Sequence, residues 1–109
     1  MAKWLYIVES NAADPKREAE YNEWYDKIHV PDVLEVKGFI RAIRYEDTEP
    51  AEGKGKFIAM YEIESDDIDG TIKALRDKVE EKRKAGRMRD DLVSLVARRT
   101  CKQISSSSG

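Results

Sequence analysis

The sequence predicts an α+β domain of βαββαβ order, a four-stranded antiparallel sheet carrying two helices on one face. Three observations predict it. Four stretches are rich in β-branched and aromatic residues, and two stretches of helical period stand between the first and second and between the third and fourth. Each helical stretch opens on an acid that can cap it. The strands carry apolar residues on both faces, whereas two helices on one side cover only one face.

The first strand is Lys3–Ser10 (KWLYIVES), with Trp4, Tyr6 and Val8 on one face and Leu5 and Ile7 on the other. Asp14-Pro15 then supplies a capping acid followed by Pro at the first helical position, and the spacing predicts a helix from Pro15 to about His29. Pro31 disfavours helical geometry at Val30 and lacks a donor, so the helix is expected to break or kink there, with a short further turn over Pro31–Leu34. Lys37-Gly38 turns the chain into a second strand, Phe39–Glu46. The polar run Asp47–Gly55 connects it to a third strand, Lys56–Glu64. Asp66 or Asp67 caps a second helix whose Ile68, Ile72, Leu75 and Val79 form one apolar stripe. Lys82, Arg83 and Lys84 suit its C-terminal dipole, and Gly86 is placed to end it. Leu92–Lys102 closes as the fourth strand. This is the split βαβ, ferredoxin-like arrangement. Residues 1–104 read as one domain and Ser105–Gly109 as a flexible tail. The uncovered sheet face predicts a partner, most simply a second copy packed sheet to sheet as a homodimer.

Composition narrows the function. The chain has 109 residues, 39% of them charged and 8% aromatic, with a net charge of −2. That balance argues against a sequence-independent grip on nucleic acid, and no apolar run approaches a membrane span. No secretory leader is expected. One cysteine, Cys101, excludes an internal disulfide framework and fits a reducing cytoplasm, where it is expected as a core thiol. One His and one Cys offer no metal-ligand spacing, and no phosphate loop, dinucleotide fingerprint or nucleophile elbow is present. No cofactor is therefore expected.

The chemistry concentrates in EYNEWYDKIHVPDVLEVKGF, residues 20–39. Tyr21, Tyr25 and His29 follow one another at steps of four, flanked by Trp24 and Ile28. A phenol can donate to a developing oxyanion, an imidazole exchanges protons near neutral pH, and an apolar wall strengthens both. The helix end, with Asp26 or Asp32 nearby, is expected to raise the imidazole pKa. The plainer alternative makes His29 a helix-end residue and the aromatic rings core. Arg41 and Arg44 face opposite ways on the second strand, so one points to a covered face, where it pairs with a carboxylate such as Glu62 or Glu64 or holds an anionic ligand.

The stretch EYNEWYDKIHVPDVLEVKGFIRAIRYE resembles the signature segment of the dimeric α+β barrel superfamily, above all EthD-like proteins. In these a helix ends W-Y-x-x-x-H-x-P, then G-F and a strand with A-x-R-Y follow; here these are Trp24, Tyr25, His29, Pro31, Gly38, Phe39, Ala42, Arg44 and Tyr45. The resemblance implies a pocket between first helix and sheet in each subunit of a dimer, with His29 in proton transfer and Tyr25 beside it. Trp24 and Tyr21 would wall that pocket. Strand parity adds Tyr6, Tyr45 and Tyr61 as groups reaching from the sheet, and Arg41 or Arg44 as substrate contacts. The implied function is a cofactor-independent isomerase, cyclase or lyase acting on a small carbonyl-bearing compound, aromatic or lactone-like. The alternatives are a non-catalytic small-ligand binder and, further off, a haem-binding monooxygenase with His29 as axial ligand.

Overall fold

A computed structural model describes all residues 1–109. Its strands are β1 (Lys3–Ala12), β2 (Phe39–Glu46), β3 (Phe57–Glu64) and β4 (Val93–Lys102). They form one sheet in the order β2-β3-β1-β4, and every neighbouring pair is antiparallel. The helices are α1 (Glu18–Trp24), α2 (Val30–Val33) and α3 (Ile68–Lys84). With both helical layers on one face of this sheet, the topology is ferredoxin-like, as the element order predicts.

The side facing the helices is read off the register. Phe57, Ala59, Tyr61 and Ile63 of β3 are all nearly inaccessible and belong to the core, joined by Trp4, Tyr6 and Val8 of β1. From the helices come Tyr21, Trp24, Tyr25, Val33 and Leu75, with Ile68, Ile72 and Val79 of the α3 stripe packed against them. Leu5, Ile7, Ile58, Met60, Ile43 and Tyr45 alternate with these and face the other way. Two bulges shift the pattern, one at Phe39/Arg41 between β2 and β3, one at Glu9/Ser10 between β1 and β4. Cys101, expected in the core, is exposed on the uncovered side opposite Leu5, because both helices lie on the far face.

The first helical segment differs from expectation at its end. The Asp14 carboxylate caps a 3₁₀ turn over Pro15–Arg17 by accepting from Lys16 N–H. The chain passes through α1, then a π-turn over Tyr25–His29, and runs directly into α2. Val30 N–H reaches back five residues to Tyr25 O. Pro31 therefore does not break the helix: it sits in the first turn of α2, where its missing N–H costs little, and the wider π-turn precedes it. The true stop is Gly38, at φ +98°, where a Cβ would stand 3.0 Å from Glu64 O. No helix is long and apolar enough to cross a membrane.

The α3 helix is capped by Asp67, which accepts from Gly70 N–H, and it ends in a Schellman turn at Gly86. Arg87 N–H bonds to Lys82 O, and Gly86 N–H to Arg83 O. This turn places Arg87 beside the first helical segment. Its carbonyl accepts from Trp24 Nε1 at 2.9 Å, and its guanidinium forks onto Asp32 at 2.8 and 2.9 Å. Arg87 thus holds the helix on both sides of the π-turn.

Candidate active site

A cavity of about 210 Å³ lies between the sheet, the first helical segment and α3. His29, Tyr25 and Trp24 face it from the first helical segment, and Tyr6 and Tyr61 from the sheet. Its wall is mostly apolar, from Val8, Val33, Leu75, Val79 and Met88. The extra residue of the π-turn sets the direction of His29. The imidazole stacks on Trp24 with centroids 4.8 Å apart and meets the Tyr25 ring edge-on at 5.1 Å.

Burial decides the protonation of these groups. It pushes the His29 pKa down to about 4, against the opposing pull of Asp32. The expectation of a raised value is overturned for three reasons. The helix does not end at His29 but continues to Val33, so the carbonyls nearby are engaged. Asp26 turns outward to Arg44, at 2.8 Å. Asp32 is neutralised by Arg87 and lies 3.9 Å from Lys82. At neutral pH the imidazole is thus an uncharged base. Burial also pushes Tyr25 up to about 12 and Tyr61 well above the ordinary phenol value. Both phenols stay protonated and can donate.

The Tyr61 hydroxyl is fully buried and has no hydrogen-bond partner within the chain. A buried donor left unpaired is costly, and this one belongs to a cavity-lining side chain. Tyr21 differs: its hydroxyl bonds to Ser10 Oγ, and its ring packs on Phe57 at 5.3 Å, behind the cavity wall. Arg44 also faces the helices. Its guanidinium carbon stands 4.3 Å from the Tyr25 ring centroid, and its two terminal nitrogens bond Asp26 and Asn22. Its partner is therefore Asp26 and not Glu62 or Glu64. Arg44 braces the outer side of Tyr25 rather than reaching the cavity.

Two residues expected near the site lie elsewhere. Tyr45 is 49% exposed on the uncovered sheet face, and Arg41 pairs there with Glu62 at 2.7 Å. The bulge at Phe39/Arg41 fixes that parity, which the sequence does not reveal. In the other direction, Arg98 of β4 and the ion pair Arg83–Asp90 line the cavity without having been singled out as site residues. No three His, Cys, Asp or Glu side chains converge to hold a metal ion.

With this geometry in view, comparison with known proteins gives the following. No family model and no curated protein matches the sequence. Solved structures do match. HapK from Hahella chejuensis aligns with a TM-score of 0.65 at 10% identity, covering 97% of each chain. A candidate monooxygenase from Shewanella loihica PV-4 aligns at 0.60 and 13% identity, over 97% of this chain and 99% of that one. The fold they share with this chain is the ferredoxin-like α+β fold. An EthD family protein from Bacillus halodurans C-125 aligns at 0.56 and 21% identity, over 95% of this chain and all of that one. At these identities the likeness establishes the fold.

Proposed function

We propose that the cavity is the active site of an enzyme that moves a proton at the carbon beside a carbonyl, in an isomerase, cyclase or lyase reaction run by its own side chains. The observation that carries this reading is one uncharged imidazole and two protonated phenols, one of them unpaired, on the same apolar hollow. His29 removes the proton from carbon. The electron pair moves onto the carbonyl oxygen, which accepts hydrogen bonds from Tyr61 and Tyr25. The imidazolium then returns its proton to another carbon or to a leaving oxygen, and the base is restored. The apolar wall makes the charged intermediate imidazolium and enolate a close pair, strongly coupled by the low local dielectric.

The test is solvent deuterium exchange into a panel of small ketones, 1,3-dicarbonyls and lactones, followed by NMR. Exchange is expected to fall at least 100-fold in His29→Ala and about tenfold or more in Tyr25→Phe, with the fold intact by circular dichroism. Full exchange in His29→Ala overturns the reading, and exchange no faster than buffer in the wild-type chain leaves a non-catalytic binding pocket. A Soret band on haemin titration that disappears in His29→Ala would replace it with a haem site.

The same reading includes a homodimer. The uncovered face presents Leu5, Ile43, Tyr45, Ile58 and Met60 together, and burial of such a face against its own copy is the simplest cover. Met60→Asp is expected to halve the mass seen by light scattering. A wild-type chain that is already monomeric at micromolar concentration removes this part. A reducing cytoplasm suits the exposed, unpaired Cys101.

A further inference from the structure

Seven of the nine arginines hold an acid within 4.0 Å: Arg17, Arg41, Arg44, Arg83, Arg87, Arg89 and Arg99. Arg76 and Arg98 do not. Arg98 projects from β4 on the helix side of the sheet, paired in register with Val8, and lines the cavity. Arg76 lies on α3 next to Leu75, whose side chain also lines the cavity. The charges of Arg98 and Arg76 act on the Tyr6 hydroxyl, lowering a pKa that burial raises. Acids near them are committed elsewhere. Glu80, one turn along from Arg76, is taken by Arg83. Asp90, the one carboxylate on the cavity wall, is forked by Arg83 through Nε at 2.9 Å and Nη2 at 3.1 Å. The result is an apolar hollow with a charged rim whose positive side is uncompensated.

We propose that Arg98 and the Tyr6 hydroxyl form a carboxylate-binding rim to the cavity, with the charge of Arg76 reinforcing it from α3, so that the compound taken is an organic acid with an apolar body. The Arg98 guanidinium offers donors only, the phenol beside it can donate as well, and a planar carboxylate matches an arginine fork. An amide or ester of the same shape brings no charge to this rim. The inference deepens the proton-transfer reading, since an acid held at the rim sends its carbonyl-bearing end inward toward His29 and Tyr61. It concerns binding, however, and stands on different residues.

The experiment measures binding rather than turnover. 3-Phenylpropionate and 3-phenylpropionamide are titrated into the full chain, with affinity read by calorimetry and location by amide NMR shifts. The acid is expected to bind about tenfold tighter or more, with shifts centred on Tyr6, Val8 and Arg98. Arg98→Gln is expected to remove most of that preference, and Arg76→Gln part of it. Arg99→Gln, which breaks only the exposed pair with Glu9, should keep it. Equal affinity for acid and amide, preference retained in Arg98→Gln, or no binding of either probe at millimolar concentration each overturns the proposal. Acid preference that survives in His29→Ala, with deuterium exchange unaffected by that variant, sinks the proton-transfer reading alone.

Discussion

Replacing Tyr61 by Phe removes one oxygen and leaves the ring in place against Phe39, 5.8 Å away, and Tyr6, 6.2 Å away. That oxygen is buried and without a partner in the chain, so its removal relieves a desolvation cost of about 1–2 kcal/mol instead of deleting a bond. For 109 residues the unfolding entropy near the midpoint is about 0.2 kcal/mol per kelvin, so the gain corresponds to a midpoint roughly 4–8 °C higher. Tyr21→Phe is the matched comparison. It leaves Ser10 Oγ, itself buried, without its hydroxyl partner, and it should cost about 1 kcal/mol. Both variants are compared with wild type by calorimetry at one fixed protein concentration, because dimerisation would make the midpoint concentration-dependent. The signs must be opposite. A midpoint that falls in Tyr61→Phe by as much as in Tyr21→Phe refutes the argument, because it means the Tyr61 hydroxyl is satisfied inside the fold. If Tyr61 serves an enolate, the stabilised variant is also the slower one.

The single histidine gives one imidazole C2–H resonance, and its titration midpoint is expected near pH 4. Because the folded value lies below the unfolded 6.5, the unfolded chain binds the extra proton, and stability rises with pH between about 4 and 6.5. This contribution reaches at most about 3 kcal/mol and should vanish in His29→Asn, as checked by urea unfolding at pH 4.5 and 7. Gly38→Ala forces a Cβ into a left-handed backbone position 3.0 Å from Glu64 O, and should cost about 1–2 kcal/mol in the same assay. Asp32→Asn weakens the fork from Arg87 and should cost about 1–2 kcal/mol, with loss of protection at the Trp24 indole N–H in hydrogen exchange.

Much of the fold could be read from local signals. Asp14, Asp67 and Gly86 act where capping rules put them, and the stripe Ile68, Ile72, Leu75, Val79 packs on the sheet as its period requires. The βαββαβ order along the chain is the order the structure has. The site was legible only where it lies on one helix: Tyr25 and His29 meet at the four-residue step their spacing gives, whereas Trp24 stacks on His29 five residues on because of the π-turn. What spacing could not carry was anything set across elements. Tyr45 and Arg41 depend on a bulge in β2 that no residue type announces. The neutral state of His29 depends on where Asp26 and Asp32 turn, and both are claimed by arginines distant in sequence. Arg98 and Arg99, neighbours in sequence, point to opposite faces of β4: Arg99 meets Glu9, and Arg98 lines the cavity. A break or kink at Pro31 with a short turn after it is what the proline rule gives, and the chain meets it with a five-residue hydrogen-bond step just before a continuing helical turn over Val30–Val33.

That five-residue step amounts to one inserted amino acid in an otherwise ordinary helix. Deleting a single residue between Tyr25 and His29 would restore the regular winding and leave the helix beyond it facing almost as before, because the wide turn fits one more residue into about the same arc. Asp32 would keep its bearing on Arg87, and only the side chains inside the turn would be re-aimed. A homologue one residue shorter at this place would therefore keep its architecture and its anchoring pair while placing the ring differently against the hollow.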